Sequence, residues 1–560
     1  MAGASRRKFL QTLCGGVLVA GASRFLPSSL GGSGLASASD MSLGDRIDLL
    51  YSNQFNFDDQ GRPRISVGLM QGKREVRLSA AGGLSALPSG DGGTAIVGGG
   101  RWRIRVDRGR AAQQHFRVVL GEVPASDLGE LERETKRWRR QKFDVGEREV
   151  GALFGVSGKV LDTRKIRLTT GLWSAESAAL EVARTLADAH GIIPRLHPEV
   201  ERRAQGRIIA EDLETGVRVE AEGVLWFSPV RAETITVHDV VDGRGKSRGD
   251  QPYRGQIYVT IDRNGELAVV NLVGEAEVLA GLVPAEIYAS APSEALKAQA
   301  IAARGQLLAK VGARHLDDPF LLCAHQHCQV YAGAGREHER TNAAVDRTIG
   351  RVLMRPNETQ LVDTVYSANS GGHTEDNEQV WPGAVDPQLR GRVDPRVDEA
   401  FAKGITAANI DAWLGEAHRA YSRPSSKQVA SAYRWTETID PGSVAGNPGV
   451  PRALGKLIKI EIHSRGRSGR ATRASLHGVR KTVQIHGELK IRRALGGLRS
   501  SMFTVAEKRD RHGRFVLRGG GYGHGVGLCQ HGAMGMASAG KRHGEILRHY
   551  YRGSKLVELW

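Results

Sequence analysis

Three clusters of this chain carry residues able to do chemistry: two glutamates at a helix–helix junction, a cramped cysteine–histidine run and a glycine-rich tyrosine–histidine segment. Glu286 and Glu294 stand on either side of Pro292. Glu294 lies in the first turn of the second helical stretch, where the positive end of the dipole keeps a carboxylate ionised and a weak proton donor. Glu286 lies just past the end of the first stretch, where the negative end opposes ionisation. Apolar Val283, Ile287 and Tyr288 add desolvation in the same direction. Glu286 is therefore the better general acid, and Glu294 the second choice and a natural cap. The run Cys323-Ala-His-Gln-His-Cys328 offers Cys323, His325, His327 and Cys328. It is too tight for all four to hold one ion, but two thiolates and one imidazole with an outside ligand suit a structural zinc. A Cys323–Cys328 disulfide is the equal alternative in an oxidising compartment.

From Gly519 to Gly527 six of nine residues are glycine, surrounding Tyr522 and His524. Each glycine costs roughly 0.5–1 kcal/mol of backbone entropy relative to alanine, and in return lets the main chain approach a neighbour with no Cβ in the way. The segment holds no G-x-G-x-x-G, which argues against a nucleotide loop. The chain also lacks H-E-x-x-H, which argues against a zinc peptidase or amidase.

These clusters need scaffolding, and the pattern supplies it in pieces. Residues 39–149 read as a β-rich N-terminal region, with a charged stretch from Glu130 to Glu149 as its linker. Residues 150–228 read as a small α+β module, with strand Lys165–Thr169 and a helix capped by Ser174 and stopped by Gly191. Residues 229–560 open on a hairpin, Ile257–Ile261 and Leu267–Val270 around an Asn264-Gly265 turn. Helices follow from Glu275 to Val283 and from Glu294 to Lys310, then an irregular insertion near 386–445 and β structure from Leu457 to Leu517. The last helix falls near Glu545. The fold class is α+β: mixed, β-rich and multidomain.

Residues 1–38 read as a twin-arginine-type signal peptide, with Arg6-Arg7-Lys8 before a short apolar run and cleavage near Ala38. The apolar run is too short for a permanent transmembrane anchor, and no later stretch replaces it. Export to the periplasm or cell envelope is the expected location. Losing Arg6, Arg7, Lys8 and Arg24 and no acid lowers the net charge by four, from +18 to +14. That balance favours polyanionic partners, and export turns the expectation away from nucleic acid.

Several motifs are long and unusual: Glu294-Ala-Leu-Lys-Ala-Gln-Ala300, Ser370-Gly-Gly-His-Thr-Glu-Asp-Asn377 and Gly523-His-Gly-Val-Gly-Leu-Cys-Gln530. Together and in this order, over roughly Arg254 to Leu559, the chain resembles the SpoIID/LytB family of stage II sporulation protein D and the amidase enhancer. The resemblance implies a protein acting on bacterial peptidoglycan glycan strands. The activity would be that of a lytic transglycosylase or of an enhancer of a cell-wall amidase, with the two helices as the catalytic segment and no required cofactor. In that reading one glutamate protonates the bridge oxygen and then takes the proton of the sugar's 6-hydroxyl, giving a 1,6-anhydro product. Tyr366, Ser367 and the turn Ser370-Gly371-Gly372 would bind sugar hydroxyls. Tyr522 and His524 would stack on a ring or stabilise its charge, and Gln530 would offer a two-headed hydrogen-bonding group. Some family members carry zinc near the cysteine run, with a different ligand spacing. The 150–228 module faintly resembles a SPOR domain, a module that binds peptide-free glycan.

Overall fold

The computed structural model describes residues 50–52, 56–88, 94–243, 245–356, 359–394, 401, 403–415, 419–424 and 427–560. The expected signal peptide and parts of the 386–445 insertion lie outside them. Strands predominate over helices throughout, so the fold is α+β and β-rich, as the pattern indicates.

Two sheets build the N-terminal half. In one, strands 63–73, 267–274, 256–261 and 224–229 run side by side, and the short strand Leu322–Cys323 adds parallel to 63–73. The other orders its strands 218–222, 205–212, 101–110, 75–79, 234–241 and 247–254. Alternating apolar residues from both, such as Ile65, Val67, Trp102, Ile104, Phe227 and Val259, meet in one buried cluster. The Asn264-Gly265 hairpin forms as its sequence requires: Asp262 accepts from the Asn264 and Glu266 amides, and Gly265 takes φ +81°.

The small module differs from its expected boundaries. Its four-stranded antiparallel sheet orders strands 196–202, 113–124, 165–173 and 146–150, so it begins at Gln113 rather than 150. It sits as an insertion between strands 101–110 and 205–212, which pair with one another. The charged stretch taken as a linker is helix α1, Leu128–Arg140, capped by Asp127 on the Glu130 amide. Its Glu–Arg pairs stay on the surface, while Trp138 is fully buried among Leu120, Val145 and Leu168. Helix α2, Glu176–His190, ends at Gly191 in the left-handed conformation as expected. Its N-cap is Ala175 rather than Ser174, with no side-chain cap bond.

The helix pair follows the first sheet directly. Helix α3 runs Glu275–Glu286, three residues beyond the expected end at Val283, and α4 runs Ser293–Lys310. Their packing is locked by an ion pair with no access to water: Arg304 Nε lies 2.7 Å from Glu275 Oε1, with both side chains at most 2% exposed. Arg304 also donates to the Thr348 carbonyl at 2.6 Å. Further on, strands 434–439, 457–465, 471–478, 482–486, 503–505 and 515–520 enclose a separate core around Leu476, Phe503 and Leu517. Among the described residues no helix is long and apolar enough to cross a membrane.

Removing one partner of a buried ion pair strands the other charge, at a cost of about 3–5 kcal/mol. Glu275→Ala should therefore lose about that much stability in denaturant unfolding. A loss below about 1 kcal/mol would mean that the pair does not lock the helices.

Candidate active site

The glycine segment folds around a residue the sequence reading did not single out. Arg470, fully buried, extends its guanidinium beneath the loop and donates to the carbonyls of Ser370 at 3.3 Å, His373 at 3.5 Å and Gly523 at 3.5 Å. A fourth donation, to Ser468 Oγ at 2.9 Å, begins a relay, because Ser468 donates in turn to Glu375 Oε2 at 2.6 Å. A Cβ on Gly521 would lie 2.9 Å from Arg470 Nη2, and one on Gly525 would collide with the guanidinium carbon. Gly519 is held against Trp435, and Gly523 against Ser367. The glycines are needed because the backbone wraps a buried cation.

This wrapping joins the second and third sequence motifs. Tyr366 and Ser367 pair in parallel with Leu528 and Cys529, and Asn369 bridges to Tyr522. Cys529 is buried, and its sulfur accepts from the Ser370 and Gly532 amides, the latter as the cap of helix Gln530–Ser538. The following residue, Gln530, donates its Nε2 to the main-chain carbonyl of Glu286 at 2.8 Å and to Gln299 Oε1 at 3.3 Å. The glycine motif is thereby tied to the end of α3.

Glu286, the last residue of α3, is half-buried between α3 and the loop after Cys328. Burial pushes its carboxyl above the usual carboxylate range, against the opposing pull of the Val330 amide, the Lys310 ammonium and the Tyr366 hydroxyl. Val283 and Ile287 are buried beside it, as the sequence suggests, but Tyr288 is 58% exposed and does not desolvate it. The Tyr366 hydroxyl is buried near this carboxyl and has no hydrogen-bond partner at bonding distance. Burial first, then the Glu286 charge, raises the phenol well above its ordinary value. Glu294 behaves oppositely. Burial alone would raise it, but Lys297, the His543 amide and the His543 ring together bring it down to about 2. Its oxygens lie 2.6 Å from Lys297 Nζ and 2.7 Å from His543 Nδ1. It is an ionised anchor joining α4 to helix His543–Tyr550.

Several expected sugar contacts turn out to be supports. Ser367 and Ser370 are buried, and the Gly371 and Gly372 amides are spent on Asn369 Oδ1 and Ser370 Oγ. Gln530 is likewise buried and committed. His524 accepts the Val526 amide on Nδ1 at 3.0 Å and donates Nε2–H to the Tyr366 carbonyl at 3.0 Å. Burial first, then Arg470, lowers it to about 3, so the ring is neutral and cannot carry charge to a substrate. What remains open is aromatic: Tyr522 is 48% exposed, Tyr288 is exposed, and Trp381 lies 4.8 Å from the His524 ring. Sequence reasoning does not single out Trp381, whose one sign there is a tryptophan ending a polar stretch.

The three acids of that loop are all engaged. Glu375 is buried and accepts from Ser468 and from the Asp376 amide. Asp376 is held by Gly391 N and Arg390, and Glu378 by Arg390 at 2.6 Å.

At the metal candidate the structure brings in a different histidine and leaves the two cysteines unbonded to each other. Cys323 and Cys328 are free thiols. The atoms that converge, all within 4.8 Å of one another, belong to His315, Cys323, His327 and Cys328. His325 instead packs against Gly243. The missing ligand comes from outside the run, after the end of α4, a placement that spacing alone does not reveal. Two sulfurs and two imidazoles form the donor set of a tetrahedral zinc, with Cys328 Sγ 3.3 Å from His315 Nε2 and each sulfur 3.8 Å from His327 Nδ1. Asp318 binds the other nitrogen of His315 at 2.8 Å, the outer contact that orients a metal-binding imidazole. The residues present fit the ion. Val330, two positions after Cys328, is the amide that touches the Glu286 carboxyl.

Residues 263–354 match the family model for stage II sporulation protein (SpoIID), and residues 375–527 match a domain of unknown function. An uncharacterized protein of Brachyspira hyodysenteriae is 30% identical over 298 residues, 53% of this chain and 70% of that protein. The amidase enhancer of Bacillus subtilis is 27% identical over 302 residues, half of this chain. The aligned part is only 40% of the enhancer's own length. Stage II sporulation protein D of Bacillus subtilis is 26% identical over 337 residues, covering 57% of this chain and 84% of that protein. The chain belongs to the SpoIID/LytB family.

Two outcomes follow. Gly525→Ala should destabilise the fold by several times the roughly 1–2 kcal/mol that left-handed strain alone costs. Gly513→Ala, with φ +73° and open space around it, should cost only that strain; equal losses at both positions would refute the role of Arg470. Protein grown with zinc should carry a bound ion by mass spectrometry of the native chain. Cys328→Ser and His315→Ala should lose it, and His325→Ala should keep it. Loss in His325→Ala would restore the ligand set read from the sequence.

Proposed function

We propose that this protein is an exported peptidoglycan lytic transglycosylase with Glu286 as the general acid and base. The observation that carries the reading is a half-buried carboxyl raised by desolvation, in a site where the neighbouring acids are already committed to Arg390, Ser468 or Lys297. A hydrolase draws on a second carboxylate to activate water or to attack the sugar, and here Glu375, Asp376 and Glu378 are all engaged. One acid suffices when the nucleophile is the sugar's own 6-hydroxyl.

The steps balance on that one group. Protonated Glu286 gives its proton to the bridging oxygen as the C1–O bond breaks. The 6-hydroxyl oxygen then bonds to the cationic C1, and the Glu286 carboxylate removes the hydroxyl proton, restoring the acid. Tyr366 lies beside the carboxyl, and Gln530 fixes the end of α3. Tyr522, Trp381 and Tyr288 offer ring faces for sugars. A zinc at His315, Cys323, His327 and Cys328 would brace the loop that presents Val330.

A second reading rests on the similarity to a protein named amidase enhancer: a non-catalytic wall-binding protein that stimulates a separate amidase. Mature protein incubated with peptide-free glycan strands separates the two by product mass. Anhydro ends should form and vanish in Glu286→Gln, while Glu294→Gln, though less stable, should still form them. No anhydro ends from the wild type, with faster amidase turnover in a mixture, would favour the enhancer. The alkaline limb of kcat/KM should lie above the usual carboxylate range, because Glu286 must be protonated to donate. Since the Tyr366 hydroxyl lowers the Glu286 pKa, Tyr366→Phe should move that limb to higher pH. An unmoved limb would remove Tyr366 from the site.

A further inference from the structure

A concavity of about 650 Å³ opens in the region matched by the family model of a domain of unknown function. Loop residues Lys403 to Ala407 form one wall, and Ile462 to Arg467, at the end of strand Leu457–Arg465, form the other. Lys403, His463, Arg465 and Arg467 bring cationic or basic groups to it. Facing them are three carboxylates. Asp376 is neutralised by Arg390 at 2.7 Å, Asp411 lies near Arg465, and Glu375 is sealed beneath Gly466. Arg465 donates to the Gly469 carbonyl at 2.8 Å, which fixes the guanidinium at the cavity wall. Burial there brings it down to about 10, the mark of a cation short of compensation.

The cavity is linked through the chain to the exposed aromatic rings of the candidate site. Asp376, in its lining, directly precedes the single helical turn Asn377–Val380 that leads to Trp381, and Trp381 packs on His524. Five residues at helical rise span about 7.5 Å, the scale of one to two sugar units. A glycan lying across Trp381 therefore reaches the cationic wall with its next units.

We propose that this cavity is a subsite for the carboxylate carried by the acidic sugar of wall glycan, and that it selects acidic over neutral glycans. Resting on the glycan reading above, the inference adds what the groove recognises. Planar carboxylates match guanidinium groups in paired, charge-assisted hydrogen bonds. The aromatic faces near Glu286 discriminate poorly between sugars, so charge recognition falls to Lys403, Arg465 and Arg467.

The test is binding, read in the Glu286→Gln chain so that no cleavage occurs and failure of the acid assignment leaves the readout intact. Calorimetry compares peptide-free wall-glycan oligomers, the same oligomers with carboxyls reduced to alcohols, and poly(glycerol phosphate). The native oligomer should bind about tenfold tighter than the reduced one, with the gap closing as salt rises. Adding Lys403→Gln and Arg467→Gln, both at exposed positions, should collapse that ratio toward one while circular dichroism stays unchanged. Equal binding of native and reduced oligomers, no binding of either, or a ratio untouched by the two substitutions would overturn the proposal. So would tighter binding of poly(glycerol phosphate) lost in the same variants, which would assign the cavity to phosphate.

Discussion

The candidate site depends on one buried guanidinium. Arg470 has no access to water, and an isolated charge so placed is tolerated only when it is hydrogen-bonded. Three main-chain carbonyls and the Ser468 hydroxyl accept from its two terminal nitrogens, Nε is left without a partner, and Glu375 lies on the far side of the serine. Those carbonyls belong to two separate loops, 370–373 and 523, so the cation draws both onto itself. The glycines let them come that close. A loop built this way is stiff, because moving any carbonyl leaves a charge unpaired in an apolar surround.

That stiffness is passed to the carboxyl proposed to act. The loop on one side of Arg470 carries Tyr366, whose hydroxyl lies near Glu286, and the segment on the other carries Gln530, whose amide holds the Glu286 carbonyl. A third contact, the Val330 amide, comes from the cysteine–histidine knot. Glu286 thus sits at the meeting point of three elements far apart in sequence. Each contact fixes its position, while burial by the same elements raises its pKa. Glu294 shows the alternative, eight residues away: with a lysine, an amide and a histidine around it, a similar carboxyl becomes a permanent anion and an anchor.

Local features were legible in the sequence, and convergent ones were not. The Asn264-Gly265 hairpin, the Gly191 stop and the helix pair follow from turn chemistry and periodicity that act over a few residues, whereas the contrast between Glu286 and Glu294 comes from burial at one and from Lys297 and the distant His543 at the other. The charge of Glu130 to Glu149 suggests a linker in sequence, and the helix Leu128–Arg140 within it is anchored mainly by the buried Trp138. His315 stands eight residues before Cys323, beyond any ligand spacing the run suggested, and only the fold brings it in. Ser370, Gly371 and Gln530 were read as ligand contacts because polar and flexible residues suit both a site and its support. Which of the two they serve is set by Arg470, a residue whose type and neighbours give no local sign of its burial.

The account stands on the protonation state of Glu286 near neutrality. Infrared difference spectroscopy between the wild type and Glu286→Gln, followed through a pH titration, reads that state directly. A protonated-carboxyl C=O band unique to the wild type should persist above the usual carboxylate range and disappear as pH rises further. A band already lost within the ordinary range would show an ionised Glu286 and contradict the assignment.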